Sequence, residues 1–201
     1  VAGVQRCGLP RWLGESSGAV TGVKVQWGEE QYNSKTKTYD LTGNADRDVH
    51  DALSPDTQNE RLFDSYLEED HGTLGVNLTG LGALGTYDVY VYFDSDEPDH
   101  HNECNAVVKI SAGGQTFYAN DPEDHTFNGN FVDASSTNKY APKTGNYVVF
   151  RGLTLEQLQI RLDGDETLGQ DADGRPSMPE TGNAACRDRG GAAGVAVTLK
   201  K

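Results

Sequence analysis

Residues 86–94, TYDVYVYFD, constrain the fold more than any other stretch of this chain. Side chains alternate across a strand, so Tyr87, Val89, Val91 and Phe93 share one face, and Asp88, Tyr90, Tyr92 and Asp94 share the other. The first face is core. The second predicts a surface covered over its two tyrosines and wet at both aspartate ends. Such a strand belongs at the centre of a sheet in an all-β domain.

The rest of the chain agrees with that class. Residues 19–27, AVTGVKVQW, alternate Val23, Val25 and Trp27 with Lys24 and Gln26, as a half-buried strand does. Further strands are expected at 74–78, 106–111, 115–119, 146–150, 158–162 and 192–199, and Ala112, Gly113 and Gly114 predict a hairpin turn. The opening residues 1–14 read as an extended edge segment anchored by Trp12, and 28–59 as a long polar region without a sustained period. Within 59–70, Leu62, Phe63, Tyr66 and Leu67 recur at helical spacing and predict one short helix near 60–69, laid over an end of the core. With 24 glycines and 201 residues, the expectation is a single antiparallel two-sheet β-sandwich spanning 1–201, with long acidic loops.

Charge narrows the partners. Asp and Glu number 31 against 17 Lys and Arg, a formal charge of −14 that repels phosphate backbones and anionic lipid. Nucleic acid is therefore not an expected partner, and no run of about eighteen apolar residues is present for membrane insertion. The chain starts at Val1 with no charged and apolar leader, as is expected of a processed, secreted protein and equally of a module excised from a longer one.

VAGV and Trp12, then VKVQW followed by Tyr32, Asn33 and Ser34, then RLFDSYLEE, VNLTGL, YDVYVYFDSD, QTFYAND, Phe127 with Gly129, and GNYVVFRGLT together carry a resemblance. The sequence is similar to a β-sandwich module, jelly-roll-like in the manner of carbohydrate-binding modules, that recurs in large secreted and surface proteins of environmental bacteria. That resemblance implies a jelly-roll-like fold and an extracellular or cell-surface location. The chain departs from the module in its extended acidic loops and its three cysteines.

If the strands from 87 onward alternate in direction, the loops 95–104 and 164–191 emerge at one end of the sandwich. Cys104 and Cys186 would then meet in a disulfide that stabilises by about 3 to 5 kcal/mol through unfolded-state entropy, leaving Cys7 unpaired. Three reduced cysteines are the alternative, because spacing does not fix connectivity. The same end collects Asp94, Asp96, Asp99, Glu103, Asp163, Asp165, Asp171 and Asp173. Crowded carboxylates repel unless a cation neutralises them, and calcium, which takes about six to eight oxygens from flexible loops, is the expected ion. A solvated acidic face is the competing reading.

Catalysis finds little support. GESSG at 14–18 satisfies the nucleophile-elbow pattern around Ser16, but that motif needs a strand before it and a helix after it, and here a strand follows. Two non-catalytic readings remain. In the first, the chain is a structural or adhesive subunit of a cell-surface or extracellular assembly, joined to copies of itself through its sheet edges or an exchanged terminal strand. In the second it is a carbohydrate-binding module that stacks a surface glycan on Trp27, Tyr32, Tyr39 and Tyr140.

Overall fold

The computed structural model describes residues 11–14, 20–41, 46–49, 65–68, 73–93, 107–120, 130–164 and 194–200. Among them run β1 (Arg11–Gly14), β2 (Val20–Asn33), β3 (Thr38–Leu41), β4 (Asp46–Val49), β5 (Ser65–Glu68), β6 (Thr73–Thr79) and β7 (Tyr87–Tyr92). These are followed by β8 (Val107–Ala112), β9 (Gln115–Asn120), β10 (Lys143–Thr144), β11 (Tyr147–Leu153), β12 (Gln157–Gly164) and β13 (Gly194–Leu199). One sheet has the order β1-β2-β6-β12-β8-β9-β10, with β3 paired to the far end of β2. The second is β11-β7-β13, and β4 pairs with β5 apart from both. All strand pairs are antiparallel except β9 with β10. The protein is an all-β, two-sheet sandwich.

Period-two patterning builds its core. On β7, Tyr87, Val89 and Val91 are fully buried, as is Phe93 just beyond it. Facing them from the larger sheet are Leu74, Val76 and Leu78 of β6, Leu158, Ile160 and Leu162 of β12, and Val108 and Ile110 of β8. Each large side chain moved out of water contributes about 1.5 to 3 kcal/mol, which is why one alternation can commit a whole segment. The sheets meet where the Phe117 and Phe150 rings lie 5.0 Å apart, and where the Tyr87 hydroxyl donates to the Leu155 carbonyl at 2.7 Å.

Short connections obey strict backbone chemistry. Ala112 opposes Gln115, so only Gly113 (φ 56°) and Gly114 (φ 79°) make the turn, and both occupy the left-handed region that a two-residue hairpin requires. Between β6 and β7 a 3-10 turn covers Leu81–Leu84, with Leu81 buried. Gly80 precedes it at φ 82°, and a Cβ there would overlap the Gly22 carbonyl oxygen.

Two expectations need correction. The helix near 60–69 is replaced over Ser65–Glu68 by strand β5, paired with Asp46–Val49; residues 59–64 lie outside the described residues. A helix so short is marginal without packing, and pairing to a partner about twenty residues upstream is invisible to local periodicity. The polar region 28–59 likewise holds the end of β2, then β3 and β4. Its turn is built by Asn33, whose Oδ1 accepts from the Lys35 amide at 3.0 Å and whose carbonyl accepts from the Lys37 amide at 2.8 Å.

Candidate functional site

The end of the sandwich where the long connections attach is the candidate site. β7 ends at Tyr92 directly opposite Gly194, where β13 begins, and β12 ends at Gly164 opposite Val108, where β8 begins. The connection 94–106 thus runs from the end of β7 to the start of β8, and 165–193 from the end of β12 to the start of β13. In each sheet the two attachment points are neighbours. The sheets share this end, because the Asn120 carbonyl at the finish of β9 accepts from the Gly145 amide at 3.1 Å, and Asn146 accepts at its carbonyl from Phe93 at 3.2 Å. The short turns at Gly113, Gly114, Leu155 and Leu81 occupy the opposite end: a Cβ on Gly113 would meet Leu153, Leu155 and Leu158 side chains, and the Leu81 amide donates to the Glu156 carbonyl at 3.0 Å.

Of the eight carboxylates expected here, Asp163 alone lies among the described residues. It sits opposite Lys109 in register, and the Lys109 ammonium donates to its Oδ2 at 3.5 Å with both side chains about one third exposed. Asp94, Asp96, Asp99, Glu103, Asp165, Asp171 and Asp173 lie outside the described residues, as do Cys104 and Cys186. Among the described residues no group of three or more His, Cys, Asp and Glu side chains is placed to hold a metal ion.

A carboxylate that sequence reading passed over is the most buried at this end among the described residues. Glu30, near the end of β2, has a side chain 1% exposed. The Arg161 guanidinium on β12 reaches across β6 to it, with Nε at 3.0 and 2.9 Å from its two oxygens and Nη2 at 2.8 Å, and the Gln159 amide adds a donor at 3.0 Å. Gly75 on the intervening strand makes room, since a Cβ there would overlap Leu41 Cδ2 and press on the Glu30 side chain. The forked geometry is the strong form of an ion pair, which is how a charge can be buried here. The signal in the sequence was a Glu out of step with an apolar run, readable only once β2 is known to extend past Trp27.

The outer face of the smaller sheet carries an aromatic cluster. Tyr90 and Tyr92 each approach Tyr147 on β11, at 5.9 and 6.0 Å between ring centroids, and Phe131 meets Tyr92 edge-on at 5.6 Å. Burial raises the pKa of Tyr92, with Tyr90 and Tyr147 adding to the effect. It also raises that of Tyr147, with Asp133 adding and Arg151 opposing. Phe131 covers part of Tyr92, and both tyrosines are partly buried, but Asp88 is not wet. Only 8% exposed, it accepts from the Gly152 amide at 2.7 Å and lies 3.8 Å from Arg151.

Of the four aromatic candidates, the three whose side chains are described do not share one platform. Trp27 packs against the core from β2. Tyr32 is 58% exposed and opposes Tyr39 in the β2–β3 register; the Tyr39 side chain lies outside the described residues. Tyr140, 56% exposed with the Lys139 ammonium 4.5 Å over its ring, belongs to the β9 side of the sheet. Four strand spacings, about 19 Å, separate β2 from β9.

Ser16 lies outside the described residues, between β1 and β2, two antiparallel strands of one sheet where a nucleophile elbow would need a strand and a helix. No helix among the described residues is long and apolar enough to cross a membrane. No family model, no curated protein and no solved structure matches the chain, so its fold and its chemistry are read from its own residues.

Proposed function

We propose that the chain is a non-catalytic β-sandwich subunit of an extracellular or cell-surface assembly, a scaffold that presents its acidic connections at one end and joins neighbours. One observation carries this reading: the connections 94–106 and 165–193 attach side by side at the end opposite the short turns. The first of them holds Asp94, Asp96, Asp99 and Glu103, and the second Asp165, Asp171 and Asp173. Carboxylates brought together on a rigid base favour a hard cation with oxygen ligands, and calcium is the proposed ion. Asp163, held by Lys109, would have to give up that pair to take part. A Cys104 to Cys186 disulfide belongs to the same proposal, since the two connections start and finish as neighbours.

Calorimetric titration of the native chain with calcium, followed by light scattering with calcium and with chelator, tests the reading. Calcium binding together with a mass above one chain supports it. A monomer in both conditions, at every concentration, removes the assembly function. Glycan binding is the second reading, favoured by the exposed Tyr32 ring opposite Tyr39 in register. Retention on a polysaccharide column by a strict monomer would select it over assembly.

A further inference from the structure

We infer that the joining surface is the outer edge of β13, and that its partner is β13 of a second copy, paired antiparallel about a twofold axis. The inference rests on the assembly reading above and names its contact. Sheet edges are templates for further pairing, so proteins blunt them with short strands, bulges, charges, proline or a covering segment. The other edges among the described residues carry such devices. β1 has four residues and an irregular register between Trp12 and Gly14, and β3 has four residues including Asp40. β10 has two residues, directly after Pro142. β4 and β5 have four residues each and carry Asp46, Arg47, Asp48 and Glu68. β11 is covered along its outer side, where the Ala134 amide donates to the Tyr147 carbonyl at 2.8 Å, Tyr147 donates to Val132 at 3.3 Å, and the Val149 amide donates to Ser135 Oγ at 3.0 Å.

Among the described residues β13 carries none of these. Its six residues, GVAVTL, include no charge and no proline, and they pair with β7 in unbroken register from Gly194 opposite Tyr92 to Leu199 opposite Tyr87. Among the described residues no strand pairs on its other side. Val195 and Val197 pack against the core and remain partly exposed.

The strand also matches itself. An antiparallel pair centred on Ala196 sets Val195 of one copy against Val197 of the other, twice, on the core-facing side, and Ala196 against Ala196 on the outer side. β-branched pairs directly across strands are favourable, and a twofold contact between identical edges closes without leaving an unpaired repeat. The two three-stranded sheets would join into a continuous sheet of six strands. Each copy carries −14, so approach is repulsive at long range while the contact strand itself is neutral. Salt therefore strengthens this association by screening.

The test uses the native chain, Ala196→Lys and Ala196→Glu. Ala196 lies opposite Tyr90 on the outer side, and either substitution sets like charges against each other at the twofold. Sedimentation equilibrium should show the native mass rising above 21.7 kDa with concentration and with salt. Each variant should need at least about tenfold more protein to associate, and an equimolar mixture should recover native association as Lys meets Glu. In the native chain, amides of 194–199 should exchange more slowly as concentration rises, a readout that holds even if a variant does not fold. Association unchanged in both variants, with β13 amide exchange independent of concentration, would overturn this contact and leave assembly through another surface. A native chain that never associates would overturn both.

Discussion

At the end of the sandwich that holds Gly80, Gly113 and Gly114, the chain reverses on residues at positive φ and seals itself with Leu81, Leu153 and Leu158. At the other end, beside the backbone bonds from Gly145 to Asn120 and from Phe93 to Asn146, two ion pairs tie strands of the larger sheet together: Glu30 with Arg161, and Asp163 with Lys109. Stereochemistry and apolar packing leave a turn almost no freedom. Charge pairing between strands tolerates any connection that starts and finishes in register, which is why long acidic segments can attach there without disturbing the core. One end turns tightly, and the other is where the long acidic connections attach.

The largest effect that would sharpen this contrast is Gly80→Ala. It forces a side chain onto a φ of 82° and drives its Cβ against the Gly22 carbonyl oxygen, a fixed backbone atom. A loss of about 3 kcal/mol or more is expected in urea denaturation. A Gly80→Ala protein as stable as the native one would show that this turn is not fixed as described.

Glu30→Ala comes next and probes the charged end. It leaves the half-exposed Arg161 and the Gln159 amide without their shared acceptor, at a cost of about 2 kcal/mol in the same assay. Tyr87→Phe returns to the glycine end and removes the hydrogen bond to Leu155, for about 1 kcal/mol with the core otherwise intact. The smallest change is Lys109→Ala, where both partners are about one third exposed and less than about 1 kcal/mol is expected. Should Lys109→Ala cost more than Gly80→Ala, the ranking of the two ends would be reversed.

Alkaline titration adds a pH test. Burial raises the pKa of Tyr87, Tyr92 and Tyr147 above the ordinary 10.0, so the folded chain holds these protons more tightly than the unfolded one. The stability this represents is complete below 10.0 and is lost as pH rises through the folded values. Unfolding free energy followed from about pH 9 upward should fall, and Tyr92→Phe should flatten the fall.

Much of the fold was legible because β6, β7, β8 and β12 each alternate apolar and polar residues over five or more positions, a signal local to each strand. The two-glycine turn was equally plain, since Gly113 and Gly114 have few other uses between two such strands. What escaped was non-local. Ser65–Glu68 carries helical spacing but is paired with Asp46–Val49, and the partner cannot be seen from the segment itself. Glu30 and Arg161 stand 131 residues apart, and nothing in either neighbourhood announces the other. The tyrosine face was half legible: the alternation located Tyr90 and Tyr92, while Tyr147 and Phe131 came to them from β11 and the segment before it.

The claim on which the rest depends, that both acidic connections rise from the same end, is tested by zero-length coupling of carboxylates to lysines in the native monomer. Lys109 and Lys143 stand at that end, whereas Lys24, opposite Thr79, and Lys200, whose amide donates to Thr86, stand at the other. Coupling of Lys109 to Asp163 serves as the internal reference. Carboxylates of both 94–106 and 165–193 should join to Lys109 and Lys143. Coupling of either segment chiefly to Lys24 or Lys200 would contradict the account.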